Sequence, residues 1–168
     1  EVDFKKTENG KAKAEEDYYY AGENVTIEVV PKPGFILKGI YVDGEKIEGN
    51  TFTMPAGAVD VSATFEGIEL TDYEALTAVE IKENKQLTTA DAVAERGGLP
   101  ETVTLKYDGG TVDATITGWT YVGIDEYAPE TTDKAYTFKA TYKLPEGTGY
   151  KQPATPIEVT VDVTLKTA

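Results

Sequence analysis

The groupings in this chain that could do chemistry are carboxylates: Glu15-Glu16-Asp17 in one run and Asp125-Glu126 in another. A pair of carboxyl groups, one held protonated and one ionised, can cleave a glycosidic bond. Acidic loops also offer the hard oxygen ligands that calcium prefers. Both runs, however, fall in segments with the character of loops, where adjacent carboxylates are solvated surface. No Asp-x-Asp-x-Asp-Gly spacing occurs, and Asp43-Gly44 and Asp108-Gly109 read as hairpin turns. The chain contains no His and no Cys. Serine and cysteine triads, thiol chemistry, disulfides and histidine metal sites are thereby excluded. The expectation is a protein without catalytic residues, cofactor or metal, and not an enzyme.

Aromatic side chains are the remaining candidates for recognition. Tyr18, Tyr19 and Tyr20 are consecutive, so an extended backbone must turn at least one of them outward. Tyr121 and Tyr127 bound a loop that follows Trp119, and Tyr150 tips a glycine-rich loop. Exposed rings stack on sugar faces and anchor protein contacts, which makes these six tyrosines candidate ligand-binding residues. The competing reading places Trp119 in a core and spreads the tyrosines over sheet faces. Two short motifs are set aside. Leu99-Pro100-Glu101-Thr102 resembles the start of a sortase sorting signal, but Val103 stands where glycine is needed. Asn24-Val25-Thr26 fits a glycosylation sequon yet opens a strand.

Charge narrows the partners. Residues 1–67 carry 7 basic and 13 acidic groups and residues 68–168 carry 9 and 17, an even spread that reaches −14 overall. Such a surface repels nucleic-acid phosphates and anionic lipid headgroups. No run of about 18 apolar residues offers a membrane span. The opening EVDFKK has neither an initiator Met nor an apolar h-region, which reads as a fragment or processed product. A monomer is expected.

The elements that must position these residues alternate with period two. Val2 and Phe4 lead to an Asn9-Gly10 turn, and Ala12 and Ala14 mark a return strand. Val25, Ile27 and Val29 point inward from one strand, Val25–Val30, which Pro31-Lys32-Pro33-Gly34 stops. Ile40 and Val42 belong to the next strand, Asp43-Gly44 makes a tight hairpin, and Val59, Val61, Ala63 and Phe65 close the sheet. From about Gly10 to Glu66 the chain resembles the divergent InlB B-repeat family, a bacterial surface repeat. The residues that carry the likeness are Ala21-Gly22-Glu23-Asn24-Val25-Thr26, Pro33-Gly34-Phe35, Tyr41-Val42-Asp43-Gly44, Phe52-Thr53-Met54-Pro55-Ala56 and Val61-Ser62-Ala63-Thr64-Phe65. The resemblance implies a small β-domain on a bacterial surface or secreted protein, with no shared catalytic residues.

Residues 68–77 break the alternation and read as an acidic linker or one turn of helix capped by Thr71. Thr89 to Arg96 has a Thr cap, Asp91 in its first turn and Gly97-Gly98 as a stop, which predicts a short helix. Val103-Leu105-Tyr107, Val112-Ala114-Ile116, Tyr136-Phe138-Ala140-Tyr142 and Ile157 to Leu165 alternate as strands. In the order Leu99-Pro100, Val103 to Tyr107, Asp108-Gly109-Gly110, Ile116-Thr117-Gly118-Trp119 and the final alternating strand, the chain from about Ala78 to Lys166 loosely resembles bacterial Ig-like domains, with the helical segment a departure from that pattern. The expected fold is all-β: two tandem small β-domains, residues 1–67 and 78–168, the second an Ig-like β-sandwich with one short helix. The expected function is a non-catalytic module pair, extracellular on a bacterial surface or secreted, acting as stalk, spacer or adhesion element. The alternative is a carbohydrate- or protein-binding module whose partner is a host or cell-wall glycan or a surface protein.

Overall fold

A computed structural model describes residues 1–82, 89–123 and 134–166. Among these residues the protein is all-β with one short helix, and the chain forms two compact units. One comprises Glu1–Ile68 together with Gly147–Lys151; the other comprises Glu69–Glu146 with Gln152–Ala168.

In the first unit, β1 (Val2–Phe4), β5 (Phe35–Val42), β6 (Glu45–Lys46) and β8 (Val59–Gly67) form a sheet of order β1-β8-β5-β6. β1 runs parallel to β8, with Val2 opposite Val59, and the other pairs are antiparallel. Two small ladders complete the unit: β2 (Gly10–Lys13) with β4 (Glu28–Pro31), and β3 (Asn24–Thr26) with β7 (Thr51–Thr53). Asp43-Gly44 makes the tight β5–β6 turn, with positive φ at both residues (49° and 83°), the conformation this turn type demands. The core is Val25, Ile27, Ile40, Met54, Val59 and Val61, each almost wholly buried.

Two local expectations change. The Asn9-Gly10 turn does not make a hairpin, because β1 pairs with β8 while β2 pairs with β4. Asn9 adopts φ 66° and its carbonyl accepts from the Lys32 amide, so the turn hands the chain from one ladder to another. The strand expected over 25–30 is two, broken at Ile27. There the Ile27 N–H donates to the Asn50 carbonyl at 2.7 Å and the Asn50 side chain donates to the Ile27 carbonyl at 3.2 Å. With Asn50 satisfying the backbone at the break, the halves are released to different partners.

The second unit is one curled six-stranded sheet of order β10-β14-β13-β12-β11-β9. Its strands are β9 (Leu70–Tyr73), β10 (Val79–Lys82), β11 (Thr102–Tyr107), β12 (Gly110–Tyr121), β13 (Ala135–Lys143) and β14 (Thr160–Lys166). β10 runs parallel to β14 and every other pair is antiparallel. The curl brings Tyr73 of edge strand β9 to Thr160 at the start of β14, with the Thr160 N–H donating to the Tyr73 hydroxyl at 3.4 Å. The layers that enclose the core are therefore parts of one continuous ladder. Helix α1 (Ala90–Arg96) covers this core, which contains Val93, Tyr136, Phe138, Val161, Val163 and Leu165. Thr89 caps the helix, its hydroxyl accepting from the Ala92 N–H at 3.1 Å. Leu70–Tyr73, inside the stretch read as a linker, is strand β9. Leu70 is wholly buried, and that apolar anchor outweighs the surrounding acidic residues. Among the described residues no helix is long and apolar enough to cross a membrane.

Candidate binding surface

The tyrosine run sits between β2 and β3, and three sets of hydrogen bonds hold its backbone. The Val2 N–H donates to the Asp17 carbonyl at 2.8 Å. The Tyr20 N–H donates to the Glu23 carboxylate at 2.7 Å, and the Glu23 N–H returns to the Tyr20 carbonyl at 3.1 Å. Gly22 and Glu23 then exchange backbone bonds with Met54, each at 2.8 Å. Within this frame the three rings part company. Tyr19 packs against the core, and its hydroxyl accepts from the Glu16 N–H at 3.0 Å. Tyr18 and Tyr20 are 71% and 84% exposed, so two rings project from an anchored loop into solvent. A loop fixed before binding loses little entropy when its side chains meet a partner.

The other candidates lie elsewhere. Tyr121 ends strand β12 instead of occupying a loop; it is half-buried, with its ring 5.8 Å from Tyr136 and 5.6 Å from Phe138. The register that sets Tyr121 opposite Phe138 turns its ring onto the core. Trp119 also packs against that core, and its indole N–H donates to the Pro100 carbonyl at 3.1 Å. Tyr150 is half-buried and belongs to the first unit. Tyr127, Asp125 and Glu126 lie outside the described residues. Glu15, Glu16 and Asp17 are all exposed. Among the described residues no group of three or more His, Cys, Asp or Glu is placed to hold a metal.

Two grooves were not apparent from the sequence. One, of about 560 Å³, lies in the first unit among Ile27, Val29, Leu37, Ile40, Lys46 and Asn50. The second, of about 380 Å³, runs between the end of α1 and β12, past Leu99, Pro100 and Trp119. The first groove is walled partly by the core residues Ile27 and Ile40 themselves, so periodicity alone cannot separate groove wall from core. On the exposed side of β8, Lys5 pairs with Asp60 at 3.1 Å, and that hydrogen bond and charge raise the lysine pKa above its ordinary value.

Comparison with known proteins places part of this architecture. Residues 1–69 match the divergent InlB B-repeat domain. The B-repeat match ends one residue before β9, so it takes in the first unit up to Ile68. No curated protein and no solved structure matches the chain.

Proposed function

We propose that this chain is a non-catalytic module pair of a bacterial cell-surface or secreted protein, working outside the cell as a stalk, spacer or adhesion element. The observation that carries this reading is the B-repeat match over residues 1–69. The absence of His and Cys and the exposure of Glu15, Glu16 and Asp17 agree with a part whose task is mechanical or adhesive. The net charge of −14 favours a well-solvated surface and disfavours nucleic acid or anionic lipid as partner.

One observation favours a second reading, a carbohydrate- or protein-binding module. Tyr18 and Tyr20 present two exposed rings on a hydrogen-bonded loop. The deciding experiment screens the intact chain against glycans, mucin and matrix proteins. The spacer reading expects no specific binder. The adhesive and binding readings expect a reproducible hit, and the tyrosine version requires that Tyr18→Ala with Tyr20→Ala weaken it at least about tenfold, the scale of one lost anchor contact. A hit unaffected by that double substitution removes the tyrosine site from consideration.

A further inference from the structure

Residues Gly147–Lys151 follow the last residues of β13 by only a few positions, yet they fold as part of the first unit. Their backbone is hydrogen-bonded there. The Gly149 N–H donates to the Pro33 carbonyl at 3.0 Å, and the Lys151 N–H donates to the Ile68 carbonyl at 3.0 Å. Ile68 in turn donates to the Gly34 carbonyl at 2.8 Å, so the receiving edge is itself tied together.

The seat is made of glycines. A Cβ on Gly34 would lie 2.6 Å from the Gly149 nitrogen and 2.7 Å from the Tyr150 nitrogen. A Cβ on Gly67 would meet the Gly149 carbonyl oxygen, and one on Gly149 would enter the Phe35 ring at 2.7 Å. All are closer than side-chain carbons approach backbone or a packed ring, so only glycine at these three positions lets the two backbones come into hydrogen-bonding range. Gly34 also has φ 81°, which adds backbone strain to any substitution there.

We infer that Gly147–Lys151 is an inserted strap of the N-terminal unit, seated in a notch formed by Gly34, Phe35 and Gly67 and required for that unit's full stability. This is independent of what the protein binds. The B-repeat match stops at residue 69, so the unit as it folds in this chain is larger than the matched segment. The strap replaces water on the Pro33 and Ile68 carbonyls with protein donors and covers one face of the Phe35 ring. It is the kind of short strand addition that binds through main-chain bonds with little demand on side chains.

Amide hydrogen exchange on the whole chain tests this without any substitution. The Gly149 and Lys151 amides are expected to exchange as slowly as those of the β5–β8 ladder, and the Lys151–Gln152 bond is expected to resist trypsin. Exchange of those two amides at the free-peptide rate overturns the proposal. Gly149→Val and the milder Gly149→Ala then force the strap from its seat. They are expected to speed exchange at 149 and 151 by at least about tenfold and to loosen the Pro33–Phe35 and Gly67–Ile68 segments, leaving β13 and β14 protected. Gly57→Ala, where a Cβ has nothing within 4 Å, is the control expected to change none of these rates. If Gly149→Val leaves the amides around Gly34 and Gly67 as protected as before, the strap contributes nothing to the unit and the inference is wrong.

Discussion

Three neighbouring tyrosines show how far a residue's type is from its role. Tyr18, Tyr19 and Tyr20 are chemically identical, yet one is a core element and two are solvent-facing. The difference is set by the alternation of the backbone and by where the core lies, so Tyr19→Ala should destabilise the first unit while Tyr18→Ala and Tyr20→Ala should be close to neutral for stability. Tyr142 has a different task. Its hydroxyl donates to the Ile157 carbonyl at 2.6 Å and accepts from the Gln152 side chain at 2.8 Å, while Gln152 also accepts from the Ile157 N–H at 3.1 Å. This closed triangle pins residues 152–157 to β13. Tyr142→Phe keeps the ring and deletes the hub, leaving a part-buried carbonyl and amide short of partners. A loss of about 1–3 kcal/mol is expected in denaturant unfolding.

At the scale of elements, α1 is too short to persist alone, since isolated helices under about 12 residues are marginal in water. It stands on its cap and on Val93, which is wholly buried. Thr89→Ala removes the hydroxyl that accepts from the Ala92 N–H, and unfolding should register a loss of about 1 kcal/mol. Thr89→Ser, which keeps the acceptor, should recover most of it; no difference between the two would mean that Val93 alone holds the helix. The β9 strand makes the complementary point. Its four residues hold an edge of the sheet through a ladder with β11 and through Leu70, although their composition is that of a connector.

At the scale of the whole molecule, the described residues form two hydrophobic clusters, one that includes Ile40 and Val61, the other Phe138 and Val163. Truncating a core side chain opens a cavity whose cost falls first on the cluster that contains it. Ile40→Ala should cost about 2–5 kcal/mol and release amides of β5 and β8, and Phe138→Ala about 3–5 kcal/mol with release of β13 and β14. Residue-resolved hydrogen exchange separates the outcomes. Parallel loss of protection at every strand in either variant would mean that the chain unfolds as one cooperative body.

Much of this was legible in the residues themselves. Period-two alternation marks nearly every strand because a strand's side chains must alternate between core and solvent. Asp43-Gly44 and Asp108-Gly109 mark their turns because few residues accept positive φ, and the Thr89 cap with its following run marks the helix. The B-repeat resemblance rests on the same short motifs. What only the tertiary structure decided is pairing: that β1 joins β8 in parallel, that Ile27 splits a strand because Asn50 satisfies its backbone, and that Gly147–Lys151 leaves its sequence neighbours for the first unit. Which of Tyr18, Tyr19 and Tyr20 faces water was settled at the same level. Local sequence encodes which backbone shapes are cheap, but the choice of partner depends on burial and hydrogen bonding summed over residues far apart in the chain.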